Sequence, residues 1–135
     1  MFPYFEHMRD AMRLRNALTP YLYTESRRFY DTGVAPVHPL YYDFGVDKNV
    51  YEQLVVERQY MFGQRILAQP VTSVTGVPNG TLKGWETYLP AGTWSTWNGS
   101  KVIVGPTRVK TDVMLSEIPL FVRDGGLLPL KTMNR

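Results

Sequence analysis

Apolar residues in the first thirty positions recur mostly at intervals of three or four: Phe5, Met8, Met12, Leu14, Leu18, Leu22 and Phe29. That spacing gathers them on one face of an α-helix and leaves polar residues on the other, so a helix is predicted over residues 5–31. Pro20 falls inside it. A proline lacks the backbone donor and crowds the preceding turn, so the helix should kink there or split in two. Asp31, Thr32 and Gly33 supply a stop, with Gly33 suited to the left-handed position that ends many helices. An amphipathic helix cannot bury its own apolar stripe, and this one needs a partner surface.

Beyond Gly33 the period changes. HPLYYDF (38–44), RILAQPV (65–71), WETYL (85–89), TWSTW (93–97), KVIV (101–104), IPLFVR (118–123) and GLLPL (126–130) are short, rich in β-branched and aromatic residues, and bounded by Gly, Pro or Asn. YEQLVVERQYMF (51–62) fits a short helix or a strand equally well. Many short strands separated by turn signals predict a mainly β chain, an antiparallel β-sandwich preceded by one amphipathic helix. Pro39, Pro70, Pro119 and Pro129 should confine some strands to edges or end them early. The stretch 72–84, TSVTGVPNGTLKG, reads as a flexible loop.

Composition narrows the function classes. A chain of 135 residues can build one ordinary domain, and 44% hydrophobic with 20% charged residues predicts a folded one. The net charge of +3 comes without a basic stripe, so no nucleic-acid partner is expected. The absence of cysteine removes disulfides, thiolate metal sites and a cysteine nucleophile, and leaves the compartment open. No apolar run approaches the roughly 20 residues of a membrane span, and residues 1–15 lack the pattern of a signal peptide.

Catalytic motifs are missing. There is no nucleophile elbow, zinc-protease helix, phosphate loop or calcium loop, and no cofactor or metal is expected. His7 and His38 read as structural histidines rather than ligands. Asp43 and Asp47 could form a carboxylate pair, but an end-of-strand turn with polar caps explains them better. Asn79-Gly80-Thr81 and Asn98-Gly99-Ser100 match the glycosylation pattern, yet Asn-Gly between strands is also the strongest short hairpin signal. All three tryptophans, Trp85, Trp94 and Trp97, fall within thirteen residues. They are the candidate sugar-stacking residues.

Five segments in order carry a family resemblance: LTPYLYTESRRFYDTG (18–33), HPLYYDF (38–44), ERQYMFGQRILAQPV (57–71), YLPAGTWSTWNG (88–99) and EIPLFVRDGG (117–126). Together they resemble family 31 glycoside hydrolases, the α-glucosidase-like enzymes. The resemblance implies that residues 1–33 are the last helix of a (β/α)8 catalytic barrel and that residues 34–135 are the proximal C-terminal β-sandwich. It also implies that the two catalytic aspartates lie upstream, on barrel strands. A retaining glycosidase needs two carboxyl groups about 5 Å apart, and a complete barrel takes about 250 residues. No catalytic residue is therefore carried over. The implied partners are a barrel outside this chain and an α-linked glucan or oligosaccharide substrate of the parent enzyme. His38, Gly45, Glu57 and Gln69 depart from the family's usual Arg, Pro, Asp and apolar residue.

Two roles remain for the tryptophans. Trp94 and Trp97 are three apart, so on a regular strand they face opposite sides, which suits packing better than a flat sugar platform. Against the structural domain stand a freestanding carbohydrate-binding module, using exposed rings among Tyr41, Tyr42 and the tryptophans, and a small hydrolase using Asp43 and Asp47.

Overall fold

The computed structural model describes residues 4–72, 81–114 and 116–132. They form two compact units, Met1–Pro36 with Leu127–Arg135, and Val37–Gly126.

The first unit holds two helices, α1 (Phe5–Ala17) and α2 (Thr19–Thr32). The predicted split occurs at Leu18, two residues before Pro20. Leu18 N–H still donates to Leu14 O at 3.0 Å and Leu22 N–H to Leu18 O at 2.9 Å. Pro20 thus sits in the first turn of α2, where its missing donor costs nothing. Gly33 ends α2 at φ 74°, its N–H donating to Phe29 O. The apolar stripe is less uniform than its spacing suggests. Leu18 is buried and Leu22 half-buried, whereas α1 buries no residue and leaves Phe5, Met8 and Met12 uncovered, the two methionines at 66% and 60% exposure. Phe29 of α2 is exposed as well, so the burial of the stripe centres on Leu18 and Leu22. The strand expected at 126–130 is absent: Pro129 interrupts it, and at Lys131 the backbone N–H donates to Ala17 O at 2.8 Å instead.

The second unit is a six-stranded antiparallel sheet in the order β1-β2-β3-β6-β4-β5. Its strands are β1 (Val37–His38), β2 (Tyr60–Phe62), β3 (Ile66–Ala68), β4 (Thr81–Thr96), β5 (Val102–Met114) and β6 (Leu120–Arg123). Residues 38–44 do not continue as a strand. Pro39 starts a 3-10 helix at Leu40–Tyr42, and a second one, Lys48–Tyr51, leads into the helix α3 (Gln53–Arg58). The ambiguous stretch 51–62 thus resolves into both readings, helix first and β2 after.

The predicted strands 85–89 and 93–97 are parts of a single strand, β4. Pro90-Ala91-Gly92 is a bulge within it rather than a tight turn, with the register against β5 shifting between Leu89 and Gly92. Opposite the bulge lies Gly105, where a Cβ would fall 2.1 Å from Pro90 O and 2.8 Å from Leu89 O. Only a residue without a side chain fits there. Thr81–Gly84, expected in a loop, begins β4, while residues 73–80 of that loop lie outside the described residues. The β4–β5 hairpin closes through Asn98-Gly99: Gly99 adopts φ 69° and Asn98 Oδ1 accepts from Ser100 N–H at 3.1 Å.

One core joins the strands. Leu40, Phe44, Val50, Val55, Met61, Leu67, Tyr88, Leu89, Trp94 and Phe121 pack into a single buried cluster. It draws on β2, β3, β6 and both halves of β4, as in a sandwich whose two layers share one long bent strand.

That arrangement leaves an edge to satisfy. β5 covers one side of β4 along its length, but β6 pairs with the other side only at Trp94–Thr96. Near Thr87 and Tyr88 the backbone is buried and needs other partners. Two buried glutamines provide them. Gln59 accepts from Tyr88 N–H at 3.1 Å and donates to Tyr88 O at 2.9 Å, reproducing both bonds of a strand pair. Gln69 donates to Glu86 O at 2.8 Å and accepts from the Thr87 hydroxyl. Gln59→Leu keeps the volume but strands both Tyr88 groups, so we expect a loss of about 1–3 kcal/mol per orphaned group. Urea denaturation of the variant and the parent measures it.

Candidate functional site

The three tryptophans occupy different environments. Trp94 is fully buried at 0% exposure, packs on Phe44 with ring centroids 6.1 Å apart, and donates from Nε1 to Pro90 O at 2.8 Å. That bond satisfies the carbonyl thrown out of register by the bulge. Trp85 is buried at 8%, with the Arg58 guanidinium 5.1 Å from its ring centroid. Trp85 Nε1 finds no hydrogen-bond partner among the described residues. Trp97 is half-buried at the end of β4. No two of them form a shared open platform, because the rings of Trp85 and Trp94 are spent on the core.

The exposed aromatic rings lie elsewhere. Tyr41 and Tyr51 stack with centroids 5.5 Å apart and planes within 10°. Tyr42, tilted against Tyr41 at 5.4 Å, lies over His38 at 5.9 Å on its other side. Tyr42 and Tyr51 are 61% and 54% exposed. Tyr51 was not among the sequence candidates, since its ring joins the row only through the turn at Gly45, whose carbonyl accepts from the Tyr51 hydroxyl at 3.0 Å.

Asp43 and Asp47 are each engaged by other groups. Asp43 Oδ2 meets Nε2 of the buried His38 at 3.2 Å. Asp47 caps the 3-10 helix Lys48–Tyr51, accepting from Asn49 N–H at 3.0 Å and from Asn49 Nδ2 at 2.8 Å, and it accepts a hydrogen bond from the Tyr88 hydroxyl. Burial pushes the Asp47 carboxyl up, but the hydrogen bonds from Tyr88 and Asn49 outweigh it and hold the group below the ordinary carboxylate range. Tyr88 is raised, by burial first and by its bond to Asp47 next. Over its ring lies Arg108, which bonds Glu52 at 2.6 Å and Glu86 at 3.1 Å. This network ties the second 3-10 turn, Lys48–Tyr51, and the start of α3 to the β4–β5 ribbon. It is a polar cluster in which Asn49 and Tyr88 engage the Asp47 carboxylate.

Among the described residues no cluster of three or more His, Cys, Asp or Glu is placed to hold a metal ion. No helix among them is long and apolar enough to cross a membrane. The Asn98 side chain is exposed at the hairpin tip, with its oxygen engaged by Thr96 and Ser100. Asn79 lies outside the described residues. Two of the cavities among the described residues of the sheet unit bear on the site. One, of about 270 Å³, is lined mainly by apolar atoms of Val37, Pro39, Val56, Tyr60 and Pro70. The other, of about 360 Å³, is lined by Asp43, Gln64, Arg65, Arg123 and Asp124. Of these five, only Asp43 was singled out in the sequence, because β3–β6 pairing is what brings the rest together.

A model of the glycosyl hydrolase family 31 C-terminal domain matches residues 33–128. The chain belongs to that family. It is 39% identical over 133 residues to an α-xylosidase of Saccharolobus solfataricus, covering 97% of this chain and 17% of that protein. It is 37% identical over 135 residues to neutral α-glucosidase C of Mus musculus, covering 96% and 14%. Among solved structures, the dextranase of Flavobacterium johnsoniae in complex with glucose superposes with a TM-score of 0.80 at 29% identity, over 93% of this chain and 14% of that one. The cycloalternan-degrading enzyme of Trueperella pyogenes in complex with cycloalternan gives a TM-score of 0.77 at 32% identity, over 90% and 16%. The chain thus spans about a sixth of the length of these family 31 relatives.

Two measurements follow for these residues. The Asp47 carboxyl is lowered in the folded state, so its contribution to stability is complete above the ordinary carboxylate pKa near 3.9 and fades as pH falls through the lower folded value. The raised Tyr88 works in the opposite direction: its contribution is complete below about pH 10 and fades as pH rises through the higher folded value. Tyr88→Phe should flatten both arms of a Tm-against-pH profile, and unchanged arms would refute the coupling. For the tryptophans, Trp94→Ala should cost about 3–5 kcal/mol, whereas Trp97→Ala should cost clearly less. If the two variants melt alike, Trp94 does not anchor the core.

Proposed function

We propose that the chain is part of a family 31 glycoside hydrolase that hydrolyses O-glycosyl, α-glucosidic bonds, and that it serves there as a structural domain without catalytic carboxylates. Residues 1–33 are read as the last helix of the catalytic barrel and residues 34–135 as the proximal C-terminal sandwich that braces it. The observation that carries this reading is the match of nearly the whole chain to a sixth of proteins that are glycosidases. The uncovered Phe5, Met8 and Met12 face on α1 supports it, because an apolar face of that kind marks a surface made to be covered. The occupant is the barrel wall. An α-linked glucan or oligosaccharide is the substrate of the parent enzyme, in keeping with the isomaltotriose and cycloalternan complexes of its relatives.

A freestanding carbohydrate-binding module is the second reading, favoured by the exposed Tyr42 and Tyr51 rings flanking the half-buried Tyr41 rather than by the tryptophans. The hydrolase reading through Asp43 and Asp47 has no support in the geometry, since His38 holds one carboxylate and Tyr88 with Asn49 the other.

The purified chain should show no turnover of p-nitrophenyl α-glucoside or maltose above a heat-treated control. Turnover abolished by Asp43→Asn or Asp47→Asn would overturn the structural assignment. Removing residues 1–33 should lower the binding of a hydrophobic dye and leave the near-ultraviolet tryptophan signal of the sandwich intact. Loss of that signal would make the helices part of the sandwich core instead.

A further inference from the structure

The β4–β5 hairpin reverses at Asn98-Gly99, and Asn98, Gly99 and Ser100 are all exposed at its tip. An asparagine followed by glycine is open to attack by the next backbone nitrogen, because glycine carries no side chain to obstruct the approach. In that reaction the Gly99 nitrogen, having lost its proton to a base in the solvent, adds to Asn98 Cγ. The N–Cγ bond forms, the Cγ–Nδ2 bond breaks, and ammonia leaves behind a five-membered succinimide. Water then opens the ring at either carbonyl, to aspartate or to isoaspartate. The only co-reactant is water, which reaches the tip freely.

Two sets of hydrogen bonds act on the reacting atoms. Gly99 N–H donates to Thr96 O at 2.7 Å, at the short end for an amide donor. The proton that the nucleophile must lose is therefore held against a carbonyl, which is no base. Asn98 Oδ1 accepts from Ser100 N–H at 3.1 Å, from the Ser100 hydroxyl at 2.7 Å and from the Thr96 hydroxyl at 2.8 Å. A backbone N–H can only donate, so the Ser100 contact fixes which end of the carboxamide is oxygen. Thr96 is itself held: its N–H donates to Lys101 O at 3.0 Å, and its Oγ1 accepts from Lys101 N–H at 3.2 Å. Nδ2, the leaving group, has no acceptor among the described residues.

The two sets pull in opposite directions. Three donors on Oδ1 would stabilise the oxyanion formed on addition. They also fix the plane of the carboxamide, whose face the nucleophile has to meet. The bond on Gly99 outweighs the first effect, because without a free nitrogen there is no nucleophile for the oxyanion to answer. We propose that Asn98 is a deamidation site gated by the hairpin turn. It is closed while Thr96 O holds Gly99 N–H and the Thr96 and Ser100 donors hold Oδ1, and it reacts once the turn opens. Isoaspartate adds a carbon to the main chain, so the turn cannot reclose on the same bonds. A chain whose hairpin has opened for long enough then carries a permanent carboxylate at its tip. The inference is independent of the reading of the chain as brace or module.

The test incubates the full chain at neutral pH, folded and in urea, and follows Asn98 by mass spectrometry. Trypsin releases it in the peptide 84–101, apart from the second Asn-Gly pair at Asn79. The folded chain should deamidate at least about fivefold more slowly than the unfolded one, the factor that one ordinary hydrogen bond gives. Ser100→Ala and Thr96→Val each remove a hydroxyl donor from Oδ1. Each should accelerate the folded reaction about fivefold, with the rate in urea unchanged. Hydrogen exchange at the Gly99 amide should quicken in the same variants, which ties the acceleration to opening of the turn. The near-ultraviolet tryptophan signal reports whether each variant is folded, and the exposed Ser100 keeps the test available if Thr96→Val is not. Equal rates in the folded and unfolded chain would overturn the proposal. So would a folded Ser100→Ala chain that reacts no faster than the parent, since the donors on Oδ1 would then be activating the carbonyl or idle. Acceleration without faster Gly99 exchange would overturn it as well.

Discussion

The fold depends on how the unpaired edge of β4 is satisfied. A sixteen-residue strand that belongs to both layers of a sandwich must change neighbours partway, and buried backbone groups at the changeover cannot turn to water. Gln59 and Gln69 close that gap with side-chain amides, which carry the same donor and acceptor as a peptide unit. Their positions matter as much as their chemistry. Gln59 ends α3 just before β2, and Gln69 follows β3, so the β2–β3 hairpin is pinned at both ends to one short stretch of β4. The inner faces of the two layers then meet in register, and Met61 and Leu67 reach the same core as Tyr88 and Leu89. Gln69, a polar residue in an otherwise apolar stretch, thus has a definite hydrogen-bonding use.

The second constraint is the bulge at Pro90-Ala91-Gly92. It bends β4 and turns Trp94 into the core, and the indole N–H then satisfies the Pro90 carbonyl that the bend removes from the ladder. The strand opposite must make room, which it does at Gly105. Tryptophan, proline and two glycines are thus one device. Of the three tryptophans, Trp94 is the one that fills the volume beneath the bent strand.

Polar chemistry is arranged on the outside of this frame. The Asp47–Asn49–Tyr88 cluster and Arg108 join local turns to the ribbon, which accounts for an aspartate that in sequence could have passed for half of a catalytic pair. His38 and Asp43 account for the other half. Both carboxylates are engaged by hydrogen bonds within the fold, and the domain's own surface offers ring faces at Tyr42 and Tyr51 and a polar cavity.

The sequence alone determined the features that depend on neighbours a few residues away. The two helices follow from apolar spacing, their division from Pro20, and their end from Gly33, because helix bonds and caps span only four residues. The family was legible for a related reason: five short segments in order carry local chemistry that survives without coordinates. Tertiary structure decided whatever joins distant positions. Residues 38–44 have strand composition, yet only His38 among them finds a ladder partner, in β2, and the chain coils into a 3-10 turn behind Pro39. Pro90-Ala91-Gly92 reads as a turn until Gly105 is known to lie opposite it. Gln59 meets a backbone 29 residues away, and the polar cavity gathers side chains from positions 43, 64–65 and 123–124. Such pairings have no period or spacing of their own in the chain, because strand register is set by which faces can be buried together.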